Sequence, residues 1–259
     1  MKIIVAIKQV PERDAPVRID ASGKWIDESN LQFSMNEPDA YALEEALLLK
    51  ERSGAEGGEV IVISAGPERA GSTIREALAK GADRGIHIVC DDPETRDALG
   101  VARLLAEAIK PENPGLVLTG LQSEDLGLGQ TGVILAELLG MPHATLILKV
   151  EKTDDGLKVK RELEEGWFQE IELPLPAALT IQSGGNKLRY ATLMGIKRAK
   201  TKELRSIRAA ELGAESAPVA VLDQITLPTK QKSTQMLSGS PKEIAAALVE
   251  KLKFEARVL

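Results

Sequence analysis

The chain has 259 residues, 43% of them hydrophobic, which is enough for one large core or for one core with an appendage. A formal net charge of −6 argues against a general nucleic-acid binder, and no apolar run reaches the ~20 residues of a membrane span. Cys90 is the one cysteine, which rules out an internal disulfide and suits a reducing, cytoplasmic setting, and the spacing of His87 and His143 fits no metal site or catalytic triad.

The first half alternates strand and helix patterns. KIIVAI reads as a first strand with no targeting segment ahead of it. A long polar connection from Gln9 to Pro38 follows, and within it VRIDASGKWID reads as a small hairpin turning at Ser22-Gly23. Asn36, Pro38 and Asp39 stand as cap, first-turn and early-turn residues of a helix ending near Lys50; the other reading is that this helix mouth faces a ligand. EVIVISAG is then a strand, Glu68–Lys80 a helix, GIHIVC a strand with Cys90 as a small buried residue, and Pro93–Ile109 a helix. Such near-continuous Val/Ile/Leu runs predict an α/β fold, a doubly wound and mostly parallel sheet with helices on both faces.

The segment LVLTGLQSEDLGLGQTG carries the most chemistry. Leu116–Thr119 reads as a buried strand, a glycine-rich loop follows, and Thr131-Gly132 opens the helical pattern VILAELLG. A loop between a strand's carboxyl end and a helix start offers free backbone N–H groups and the positive end of the helix dipole, which suits a nucleotide phosphate. Gly127, Gly129 and Gly132 spell G-x-G-x-x-G, with Glu151 near the place of a ribose-binding acid. Gln122 to Leu126 separate those glycines from the strand, and several strand–helix units precede them, which counts against a NAD dehydrogenase.

After His143 the pattern changes. LILKVEK, GLKVKREL and GWFQEIELPLPAALTIQ alternate polar and apolar residues around Asp155-Gly156 and Glu165-Gly166, predicting an antiparallel hairpin extension. Gly184-Gly185 and a basic loop, NKLRYATLMGIKRAKTKEL, come next. Residues Leu204 to Gly239 lack clear periodicity and are broken by Pro218 and Pro228. Ser240, Pro241 and Glu243 then form a capping box for a last helix, with Ile244, Leu248 and Leu252 on one face. The expected organisation is a nucleotide-binding α/β domain over residues 1–200, followed by a C-terminal arm and helix over 201–259 that dock on a partner subunit.

QSEDLGLGQTG, the KVKRELEEGWFQEIELPLPAALTIQ hairpin and NKLRYATLMGIKRAK, together with MNEPDAYALEEAL and ALAKGADRGIHI, resemble the beta (small) subunit of electron-transfer flavoproteins nearly end to end. The resemblance implies a heterodimer whose alpha subunit holds the redox-active FAD, while the beta chain holds a structural AMP and supplies no catalytic residue. It implies AMP contacts at Ala6, at Asn36, Glu37, Pro38 and Asp39, and at Ala65. The loop would add Gly120, Leu121, Gln122, Ser123, Glu124, Asp125, Leu126, Gly127, Leu128, Gly129, Gln130 and Thr131. Asp125 reads as a residue that orders the loop, since it would repel a phosphate.

The resemblance further implies that Arg189, Tyr190, Ala191, Thr192, Leu193, Met194, Gly195, Ile196, Lys197 and Arg198 form a recognition loop for acyl-CoA-type and related dehydrogenases, with Leu193 as the apolar plug. Lys187, Arg189, Lys197, Arg198 and Lys200 would steer acidic partners toward it. Electrons would pass to FAD and on to a quinone-reducing or other acceptor oxidoreductase. Two alternatives stand beside this. One is an electron-bifurcating member binding its own FAD, disfavoured by Gln130-Thr131-Gly132; the other is an ATP-pyrophosphatase-like enzyme, for which Ser183-Gly184-Gly185 lacks the aspartate and second serine of the phosphate loop.

Overall fold

The computed structural model describes residues 1–54, 58–90, 96–214, 218–228 and 234–258. They form two compact units, Met1–Ile225 and Thr226–Leu259.

The larger unit is built on a nine-stranded sheet. Its strands are β1 (Lys2–Ala6), β4 (Glu59–Gly66), β5 (Arg84–Val89), β6 (Leu116–Gly120), β7 (His143–Lys152), β8 (Leu157–Glu162), β9 (Phe168–Leu173), β10 (Ala177–Ile181) and β11 (Leu204–Arg208). The spatial order is β11-β5-β4-β1-β6-β10-β7-β8-β9. Every neighbouring pair is parallel except β7-β8 and β8-β9. A two-stranded ribbon, β2 (Gln9–Pro11) with β3 (Phe33–Met35), lies in the first crossover, whose tip pairs Ile19 with Ile26 around the Ser22-Gly23 turn.

The helices sort onto two faces because consecutive strand residues point to opposite sides. On one face α1 (Glu37–Arg52), α2 (Ala70–Lys80) and the short α5 (Leu193–Ala199) pack Leu43, Leu47, Ile74, Leu78 and Ala199 against Ile3, Val5, Val60, Val62 and Leu118. On the other, α3 (Ala98–Ile109) and α4 (Thr131–Leu139) pack Leu104, Ile109 and Leu135 against Ile4, Ile61, Ile63, Ile86 and Val117. This is the doubly wound α/β arrangement that the runs of aliphatic residues predict. Cys90 is buried at the end of β5, as expected.

Three expectations need correction. AALTI does not stay in the antiparallel extension; β10 leaves the hairpin and inserts between β6 and β7, parallel to both. Leu204–Arg208, within the stretch without periodicity, is the edge strand β11, paired with β5. The third helix of the alternation begins at Ala98, with Asp97 as its cap; residues 93–95 of the predicted span lie outside the described residues.

The smaller unit carries α6 (Pro241–Phe254) with its expected cap: the Glu243 N–H is bonded to Ser240 Oγ, and the Glu243 carboxylate accepts the Ser240 N–H at 2.8 Å. Among the described residues no helix is long and apolar enough to cross a membrane.

Candidate functional site

From β1 the chain winds outward through β4 and β5, then returns to the other side of β1 as β6. The carboxyl ends of β1 and β6 therefore flank the point where strand order reverses, the position at which open α/β sheets bind ligands. Ala6 ends β1, Ala65 lies near the end of β4, and the loop from Gly120 to Gln130 leaves β6 at that crevice. The expected nucleotide residues thus converge on one edge of the sheet, although they come from four separate stretches of sequence.

A polar network ties the loop to the start of α1. Asp39, almost wholly buried, accepts the Lys8 N–H on Oδ2 at 2.7 Å and the Gly120 N–H on Oδ1 at 2.9 Å. Gly120 packs so closely on this turn that a Cβ there would lie 2.8 Å from the Asp39 backbone nitrogen. Asn36 is the N-cap of α1, yet its side chain makes no capping hydrogen bond. Its amide instead donates to the Gln122 carbonyl at 3.0 Å, and its Oδ1 accepts the Glu124 N–H at 2.9 Å. The side chain of Asn36 is thus no plain cap: it ties the start of α1 to the loop after β6.

The acidic residues of the loop are compensated. Lys8 Nζ lies 2.7 Å from the Asp125 carboxylate, and Glu124 accepts the Glu37 N–H at 3.3 Å. Burial acts to raise the Asp125 carboxyl, but the Lys8 ammonium together with hydrogen bonds from Ser123 and the Leu126 N–H outweighs it and holds the group below its ordinary range. Asp125 also accepts the Leu126 N–H at 2.7 Å, the loop-ordering part expected of it. Burial likewise pushes the Asp39 carboxyl up to about 7, against the opposing pull of its backbone donors.

Does this frame fit a nucleotide phosphate? Gly127 and Gly129 adopt left-handed φ of 62° and 63°, and the nearest atom to a Cβ on either would be 3.8 Å away, so the backbone is open to close approach. Gln130, the N-cap of α4, supplies no side-chain cap. The first N–H groups of α4 are thus left for another acceptor. Behind them Gly132 packs against Thr119 and Thr180, and Thr180 Oγ1 is buried without a hydrogen-bond partner among the described residues. A backbone cradle, a helix start and an Asp125 carboxylate offset by Lys8 suit an anion. Leu126 and Leu128, on the same loop, are exposed.

The basic segment is held at a second place along α1 and on α2. Arg189, which reads from sequence as a steering charge, forks onto the buried Glu44, with Nε and Nη2 each 2.9 Å from a carboxylate oxygen, and its Nη1 reaches Glu51 at 2.7 Å. That expectation is corrected: Arg189 anchors the loop, and the outward charge rests on Lys187, Lys197, Arg198 and Lys200, all exposed. Asn186 bonds the Tyr41 carbonyl and Glu45, while Lys202 Nζ caps the carboxyl end of α2 through the carbonyls of Leu78 and Ala82. Arg75 returns from α2 to the carbonyls of Ala199 and Lys202, each at 2.7 Å. Thr192 caps α5 by accepting the Gly195 N–H at 3.0 Å.

On this platform Leu193 is 87% and Tyr190 93% exposed, with Met194 and Ile196 beside them. Leu193 is therefore no core residue of its helix. An exposed apolar cluster rimmed by lysine and arginine has the composition of a docking patch. Sequence reasoning missed Lys8, Glu44 and Glu51 as its supports and those of the loop. The signal available was the pair Glu44-Glu45 inside an otherwise apolar helical stretch, where buried carboxylates require partners. Among the described residues no group of three or more His, Cys, Asp or Glu could hold a metal ion.

A family model described as "Electron transfer flavoprotein domain" matches residues 24–212. The chain is similar to the electron transfer flavoprotein subunit beta of Methylophilus methylotrophus, 39% identical over 258 residues, covering 96% of this chain and 97% of that one. The subunit beta of Bradyrhizobium diazoefficiens is 38% identical over 259 residues and the whole of both chains. That of Homo sapiens is 35% identical over 260 residues, covering 100% of this chain and 99% of its own.

Proposed function

The chain belongs to the electron transfer flavoprotein family as a beta subunit, and from that premise we propose that it holds a structural AMP at the loop after β6 and presents Leu193 to electron-donating dehydrogenases. A beta subunit has an alpha partner, and a flavoprotein carries flavin. In our reading the FAD sits mainly in that alpha subunit and supplies the redox chemistry. This chain positions and selects. It binds no metal and contributes no catalytic residue, electrons leave toward a quinone-reducing or other acceptor oxidoreductase, and the assembly works in the cytoplasm.

One observation carries the nucleotide assignment: the loop from Gly120 to Gln130 is seated at the switch point by Asn36 and Asp39 while its glycines and the start of α4 stay open. AMP would meet the backbone N–H groups around Gly129 and Gln130 and the Thr131 hydroxyl, its charge favoured by the helix dipole by about 0.3–1 kcal/mol, and up to ~2 kcal/mol where partly buried. Asn36 to Asp39, Ala6 and Ala65 would border the nucleoside. The C-terminal arm and the apolar side of α6, whose residues are nowhere buried, would be covered by the alpha subunit.

The test is to purify this chain alone and with its alpha subunit, denature both, and identify the released nucleotide by mass and absorbance. AMP from the chain, with FAD only in the presence of the partner, is the expected result. FAD from the chain alone would move it to the bifurcating type, and no nucleotide from either preparation would contradict the assignment.

A further inference from the structure

Lys8 follows directly on the β1 strand and its neighbour Ile7, and is fixed at three points. Its N–H donates to Asp39 at 2.7 Å, its carbonyl accepts the Asn36 N–H at 2.9 Å, and its ammonium reaches across 117 positions of sequence to Asp125 at 2.7 Å, with Ser123 Oγ at 3.5 Å. The first two bonds belong to the rigid frame of β1 and α1, so the frame sets where the ammonium can reach. The loop it reaches is the permissive element, because Gly127 and Gly129 carry left-handed backbone that costs little to rearrange. On the far side of those glycines stand the N–H groups of the α4 start.

We propose that Lys8 is a positioning residue for nucleotide binding: by gripping Asp125 it holds the loop in the register that aims Gly129, Gln130 and Thr131 at a phosphate. The inference rests on the AMP reading above and adds to it a residue that lies outside the contacting set. The pair does a second thing at the same time. An uncompensated Asp125 beside a phosphate would repel it, and the ammonium cancels that charge. Lys8 thus acts through Asp125, which also accepts the Leu126 N–H at the entrance to the glycine turn.

The two groups should behave as one unit, which a double-mutant cycle measures. The experiment is calorimetric titration of AMP into the heterodimer stripped of nucleotide, for the wild type, Lys8→Met, Asp125→Ala, the double variant and Lys8→Arg, with a thermal melt of each to separate binding from folding. Each of the Met and Ala variants weakens AMP about tenfold, the double variant is no weaker than either single one, and arginine, which keeps the charge, stays within about threefold of wild type. Additive losses, or an Asp125→Ala variant that binds as tightly as wild type while Lys8→Met does not, would mean that the ammonium serves the phosphate directly and would overturn the proposal. Unchanged binding in both singles would overturn it as well. A wild-type heterodimer that takes up no AMP strikes the nucleotide reading itself, an outcome distinguishable from loss confined to the variants.

Discussion

The loop after β6 and the segment around Arg189 are both pinned to α1, and they turn opposite chemistries outward. The loop is held at the helix start by Asn36 and Asp39, which accept backbone N–H groups and leave glycine backbone open. The segment around Arg189 is held further along the same helix by Glu44, Glu45 and Glu51, which grip an arginine fork and an amide and leave Leu193 and Tyr190 in solvent. In each, buried polar bonds fix a surface whose own residues contribute little to folding. The buried anchors and the exposed surfaces they hold can be altered separately, which makes the comparison breakable.

The largest loss of stability falls on Asp39. Asp39→Ala leaves the N–H groups of Lys8 and Gly120 without their acceptor, at a cost of about 2–4 kcal/mol in urea unfolding. Its carboxyl, raised by burial from 3.8 to about 7, also has a pH signature. The folded chain keeps this proton more readily than the unfolded chain, so the stabilisation is complete at low pH and is lost as pH rises from about 4 to about 7. Asp39→Asn removes that part of the slope; a slope identical to wild type would contradict the assignment.

Arg189→Ala comes next. It strands the buried Glu44 carboxylate and costs about 2 kcal/mol, less than a fully buried pair because the guanidinium is partly solvated. Its melting temperature falls, and dehydrogenase docking weakens with it because the platform loosens. Glu51→Gln touches the same guanidinium from the exposed side and costs under about 1 kcal/mol. Equal losses from Arg189→Ala and Glu51→Gln would show that the buried half of the fork does not dominate.

How much of this could be read from residues alone follows from the range of the interactions. Helix α1 and strands β1, β4, β5 and β6 announce themselves because each buries a contiguous or periodic apolar set. β11 does not, because LRSIR is an edge strand whose only buried side chain is Ile207, and its pairing with β5 joins residues far apart in sequence. AALTI gives no sign that it crosses back to the parallel strands, since a hairpin strand and a buried parallel strand share one composition. The glycine-rich loop between β6 and α4 was legible from its strand–glycine–helix order. Lys8 and Glu44 were not, since what distinguishes them is a partner more than 100 positions away.

Leu193→Ala should have the smallest effect on stability, within about 0.5 kcal/mol, because the side chain is solvated in the free chain. Its effect on function should be the most telling. Burial of one leucine on docking contributes about 1.5–3 kcal/mol, so the variant should weaken the encounter about ten- to a hundredfold. The decisive measurement is the rate of FAD reduction in the heterodimer by a reduced acyl-CoA-type dehydrogenase, taken over a range of dehydrogenase concentrations for wild type and Leu193→Ala. The account predicts an unchanged melting temperature and AMP content, with half-saturation moved to at least tenfold higher dehydrogenase. An unchanged concentration dependence would contradict the claim that this chain selects electron donors through Leu193.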